Sequence, residues 1–200
     1  MVRMGVLFAV GSTCFAVASV VSQWGSTSRP AIGVTFFAGS LFFTSAAFLQ
    51  LRAAETRDDR VASAIQFAGT LFFNVSTFAA MRKGLDARES DLRVWTPDAF
   101  GSVCFLVSSW LAYAAVRRPS AGWRIAALNL LGSIFFAVSA ITAFVEPSTS
   151  EPVSAAVANA GTTAGALCFL AGALLMIPHK ENGHVDPAAS PGTVHVGQRG

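Results

Sequence analysis

Residues 132–136 read GSIFF, and residues 39–43 read GSLFF. A Gly, a small residue and a Phe four positions after the Gly recur in four more places. These are GSTCF at 11, GTLFF at 69, GSVCF at 101 and GALCF at 165. The glycines stand 28, 30, 32, 31 and 33 residues apart, and seven residues after each sits another small residue: Ala18, Ala46, Ser76, Ser108, Ser139 and Gly172. Spacing this regular reads as an internal repeat. On a helix, positions i, i+4 and i+7 share one face, so each copy presents small, Phe, small in a row. Helices in lipid gain little from hydrophobicity and associate through close packing at small residues. The motif therefore reads as a packing device, a knob flanked by two hollows.

Working outward, each copy lies within a stretch free of Asp, Glu, Lys and Arg: 4–28, 30–51, 61–81, 99–116, 125–145 and 152–178. A bilayer core about 30 Å thick takes roughly 17–25 helical residues. The fold class is thus all-α, a polytopic membrane protein of six transmembrane helices, with spans over about 4–22, 31–51, 61–81, 98–116, 124–145 and 156–177. Composition agrees: 12% of residues are charged, and seventeen Phe stand against one Tyr. Arg3 ahead of an apolar run has the look of a cleavable signal peptide, but the motif inside that run assigns it to the bundle. Residues 179–200, rich in Gly, Pro and polar groups, read as a disordered tail.

Two decompositions of the six spans are open. Matching the first three with the last three gives a 3+3 inverted repeat, an arrangement common among transporters. Grouping neighbours gives three two-helix units of one orientation. Basic residues set sidedness. One side holds nine (Arg3, Arg52, Arg57, Arg60, Arg117, Arg118, Arg124, Lys180 and Arg199) against five on the other, which places both termini in the cytoplasm. Trp24, Trp95 and Trp123 fall at span ends, where the headgroup zone suits them. Trp110 lies deeper and reads as packing.

With a fourth span starting near residue 98, no ionisable side chain falls in the middle of any span. Asp98 reads as serving the N-terminus of that helix. The deep polar groups are amides: Asn74 near the centre of the third span, and Gln66, Asn129 and Asn159 nearer span ends. They suit either a polar lining for a small neutral or zwitterionic solute or hydrogen bonds between helices. Cys14, Cys104 and Cys168 share the fourth position of the motif and read as small apolar fillers. His179, His184 and His195 all lie in the tail. No metal, cofactor or nucleophile pattern is present, so no cofactor and no catalytic residue are expected. Nor does the pI near 9.1 point to nucleic acid, since cytoplasmic loops of a membrane protein account for it.

The unit NLLGSIFFAVSAI…GTTAGALCFLAGALLMIP, residues 129–178, resembles the YrhK-like membrane domain, whose two transmembrane helices are each built around a Gly-Ser-x-x-Phe core. VWTPDAFGSVCFLVSSWLAY at 94–113 is similar to six-span integral membrane proteins of actinobacteria. The resemblance implies a bacterial inner-membrane location and two-helix building units, and it brings no site residues. The expected partners are the lipid bilayer, a second copy of this chain or another membrane protein. The expected role is non-enzymatic, with a transporter or channel lined by the buried amides as the alternative.

Overall fold

A computed structural model describes residues 1–25 and 28–177. It contains six helices long and apolar enough to cross a membrane, the make-up of a multi-pass membrane protein. They are α1 (Val2–Trp24), α2 (Arg29–Ala53), α3 (Arg57–Ala80), a composite fourth span, α6 (Ala121–Thr142) and α7 (Ala155–Met176). The tail histidines lie outside the described residues, as does the whole of 179–200, the stretch read as a polar tail.

The fourth span departs from the sequence reading. It starts at Ala87, eleven residues before the expected boundary, as a single α-turn, α4 (Ala87–Ser90). It continues through a π-turn over Asp91–Trp95 into α5 (Thr96–Ala115). Charge hides this start. Asp86 caps the helix by accepting from the Glu89 backbone N–H at 2.7 Å, and Glu89 and Arg93 pair at 3.8 Å one turn apart, so charged residues form helix here instead of loop. Other starts follow the same capping logic. Thr56 accepts from Asp59 N–H, and Ser120 accepts from Trp123 N–H. The fifth span ends at Thr142, short of the expected 145, because the chain turns into an antiparallel pair, β1 (Val145–Glu146) and β2 (Glu151–Pro152).

Each span packs on its neighbours in sequence, and α7 packs on α1, so the six helices close into a ring. Within each span the same nine-residue window decides what faces inward. In Gly11–Ser19, Gly39–Ala47, Gly69–Thr77, Gly101–Ser109, Gly132–Ala140 and Gly165–Ala173, positions 1, 2, 5, 8 and 9 are buried. All but the Phe at position 5 are small, which lets backbones approach closely.

The helices exchange motif residues in pairs. A Cβ on Gly11 would stand 2.9 Å from the Phe43 ring, and one on Gly39 would stand 2.8 Å from the Phe15 ring. Gly69 and Gly101 meet Phe105 and Phe73 in the same manner, and Gly132 and Gly165 meet Phe169 and Phe136. These contacts define three hairpins: α1–α2, α3–α5 and α6–α7. Between hairpins the seams carry hydroxyl pairs, Ser40–Thr77 at 3.1 Å, Ser109–Ser133 at 2.8 Å and Ser19–Thr163 at 2.7 Å.

The six motif phenylalanines meet on the ring axis as two triangles. Phe15, Phe73 and Phe136 form one, with centroids 6.0–6.4 Å apart. Phe43, Phe105 and Phe169 form the other, at 5.6–6.2 Å. Each hairpin gives one ring to each triangle, and its two rings touch at 5.0–5.6 Å. The rings thus plug the axis. All six motif faces are consumed inside one chain.

The tryptophans also differ from expectation. Trp110 is 58% exposed on the outer face of α5, because it stands nine residues after Gly101, in register with exposed Val103 and Val107. Trp95 donates from Nε1 to the Ala140 carbonyl at 2.8 Å and packs edge-on against Phe144. It is a tertiary tie instead of a headgroup anchor.

Candidate solute cavity

Above the plug the ring opens into a cavity of about 740 Å³. Its floor is the triangle of Phe15, Phe73 and Phe136, and its mouth lies among the start of α2 at Arg29 and Pro30, the connection from α3 to α4 and the connection from α6 to α7. The other end of the axis is filled by the second triangle. Only about 10 Å³ of free space remains among Phe15, Phe43, Phe73, Phe105 and Phe136. The cavity is therefore blind.

Its walls mix hydroxyls with aromatic rings. Ser139 donates to the Ala158 carbonyl at 2.7 Å and pairs with Thr162 at 2.8 Å. Thr77 donates to the Phe73 carbonyl, and Ser102 donates to the Phe136 carbonyl. These hydroxyls are thus committed to the scaffold. Phe36 and Trp95 add aromatic surface.

Asp98 is the acidic residue of the lining. The early start of the helix moves it from a helix end to the interior. The helix runs over Ala87–Ala115, with Arg88, Glu89, Asp91 and Arg93 in its first third, and Asp98 stands one turn before the motif Gly101, on the cavity side of the Phe15, Phe73 and Phe136 triangle. Helix precedes it from Ala87, so it has no free helix terminus to serve, which overturns that reading. Among the described residues its carboxylate has no hydrogen-bond partner within the protein, and the one salt bridge is Glu89–Arg93 at the span's start. Ionisable groups within membrane-spanning helices are costly and commonly functional. At the mouth, Arg29, Arg82 and Lys83 face the same space, and no ion pair among the described residues involves them.

The amides go elsewhere, with one exception. Asn74 donates to Thr44 Oγ1 of α2 at 2.9 Å. Gln66 accepts from Gln50 of α2 and Ser108 of α5 at 3.5 Å each. Asn129 Oδ1 fills the space beside Gly172 of α7, 2.8 Å from where a Cβ would be. Asn159 alone lines the cavity, near its mouth, and its amide donates to Gln23 Oε1 at 3.1 Å. The structure brings Asn159 to the cavity and sets Asn74, Gln66 and Asn129 at helix seams.

Cys14 and Cys104 pack their Cβ atoms against Gly39 and Gly69 of their hairpin partners. All three cysteines are free, and no group of three His, Cys, Asp or Glu that could hold a metal ion occurs among the described residues. Sequence reasoning singled out Asp98 but assigned it to a helix end, although "D-A-R-E-S-D" at 86–91 carries the capping signal of an earlier start, Asp86 followed three residues later by Glu89. Comparison with protein-family models, curated proteins and solved structures finds no match to this chain.

Proposed function

We propose that this chain is a non-enzymatic, multi-pass protein of a bacterial cytoplasmic membrane that takes a small neutral or zwitterionic solute into the blind cavity. The observation that carries the reading is Asp98, a carboxylate within the fourth span that faces a large open space and has no partner among the described residues. Pockets of this volume, apolar in lining with a few placed polar groups, are the usual form of a small-molecule site. The distribution of Lys and Arg supports cytoplasmic termini, which would turn the cavity mouth outward.

Within this reading the plug sets the difference between binding and transport. A transporter would have to part the two triangles of rings, for which the seams between hairpins, joined by hydroxyl pairs, offer a route. Three hairpins of like contact pattern also support descent from a duplicated two-helix unit, in keeping with the YrhK-like resemblance.

Native mass spectrometry on protein extracted with its own lipids tests the proposal. A retained small molecule other than lipid is the expected result. A spectrum holding lipid alone would count against it and favour a purely structural or partner-binding role.

A further inference from the structure

We propose that the solute is a zwitterion held amine-end first, with Asp98 as counter-ion of its ammonium group. Its acidic group faces Arg29, Arg82 and Lys83 at the mouth. The inference rests on the solute-binding reading and adds the chemistry of the ligand.

The Asp98 carboxylate has no ion-pair partner among the described residues. A buried charge needs an opposite charge or several hydrogen bonds to offset its lost hydration. Among the described residues none supplies either to half-buried Asp98, so its carboxylate is open to whatever fills the cavity, a cationic solute included. The surroundings suit an organic ammonium better than a bare metal ion. A metal ion would want several oxygen ligands, and Asp98 is the sole carboxylate in the lining. Trp95 stands one turn before Asp98 on the same span, and Phe36 and Phe73 line the same space. Aromatic faces attract alkylammonium groups, the more so when desolvated.

The mouth then narrows the class. A simple cation would have to pass three positive side chains and would leave them uncompensated. A simple anion would meet Asp98 at the floor. A molecule carrying both charges, separated by an apolar stretch that can lie against Phe36 and Trp95, matches the field along the whole cavity. The Arg29 backbone is ten residues from Gly39 and Asp98 is three from Gly101, which puts the two ends about 10 Å apart along the axis. Long basic side chains shorten that gap, so the match is to an ω-amino acid or similar spaced zwitterion.

The test uses the full chain in lipid nanodiscs and four probes of one carbon skeleton: 4-aminobutyrate, butylammonium, butyrate and 1-butanol. Binding is read by calorimetry and by the melting temperature. 4-Aminobutyrate should bind best, butylammonium more weakly, and the other two least. Asp98→Asn should weaken 4-aminobutyrate by about ten- to a hundredfold, the loss expected of a charge-assisted bond, whereas Asp98→Glu should retain most of it. Arg82→Gln with Lys83→Gln should weaken 4-aminobutyrate and leave butylammonium unchanged or improved. Monodisperse elution and unchanged helicity show that each variant is folded. If butyrate or butanol binds as well as 4-aminobutyrate and Asp98→Asn changes nothing, the amine inference fails while the cavity remains a solute site. If no probe binds the wild type, both readings fall.

Discussion

Trp95 Nε1 donates a 2.8 Å hydrogen bond to the carbonyl of Ala140, and this single bond ties the irregular turn of the fourth span to the far end of the fifth. The turn before it is π-helical, a form that often marks functional sites, and it precedes Asp98 by three residues. Val145 N–H adds a second tie, donating to Asp91 Oδ1 at 3.1 Å. Trp95→Phe keeps the edge-on contact with Phe144 and removes the bond. The expected loss is about 1 kcal/mol of stability, measured by reversible unfolding in mixed detergent. An unchanged midpoint would mean that the indole N–H adds nothing to the fold.

Two glycines on different surfaces should respond in opposite ways to the same change. A Cβ on Gly39 would lie 2.8 Å from the Phe15 ring, 2.9 Å from Cys14 Cβ and 3.1 Å from the Gly11 carbonyl, with backbone among the obstacles. Gly39→Ala should therefore cost about 1–3 kcal/mol, the range for overpacking a tight interior. Gly122 meets only ordinary contacts, the nearest at 3.5 Å, so Gly122→Ala should be neutral or stabilising by up to about 1 kcal/mol through helix propensity. Thermal unfolding of the two variants side by side decides the matter.

Phe42 and Phe43 are neighbours in sequence with opposite fates. Phe43 is 3% exposed in the plug, whereas Phe42 is 37% exposed on the outside of the bundle. Phe43→Ala should cost about 3–5 kcal/mol. Phe42→Ala should cost far less, because lipid chains replace its contacts. Equal costs would show that the axis is not where the fold keeps its stability.

The seam between α5 and α6 offers a double-mutant cycle. Ser109 and Ser133 pair at 2.8 Å, while Ser133 also donates to the Asn129 carbonyl one turn back on its own helix. Because that second acceptor remains, the coupling between Ser109→Ala and Ser133→Ala should be small, about 0.6 kcal/mol as is usual for interhelical bonds in membrane proteins. A coupling near zero would leave the seam to van der Waals packing alone.

The span count was legible in the sequence because hydrocarbon excludes charge, and charge-free stretches are easy to read. The same signal hid the beginning of the fourth span. Ala87–Trp95 is helical and charged, so a rule that equates charge with loop stops at Asp98 and assigns that residue to a helix end. The amides misdirect for a related reason. An Asn deep in a span signals a polar partner, but only the ring order tells whether the partner is a cavity or, as for Asn74 and Thr44, the next helix. The grouping into hairpins was equally hidden. The motif is near-symmetric about its Phe, and which helix receives each knob depends on contacts between chain segments that no single copy encodes.

The closed ring has one more consequence. Gly5 of α1 packs against Ile177 and Ala173 at the end of α7, where a Cβ would stand 2.9 Å from Ile177 Cγ1 and 3.0 Å from the Ala173 carbonyl. The two ends of the described chain are therefore side by side, and in space no helix is first or last. A circular permutant that joins residue 177 to Met1 through a short linker and opens the chain in the exposed turn at 54–56 would keep every helix seam and both triangles of rings. Its new termini would lie on the same face as the old ones.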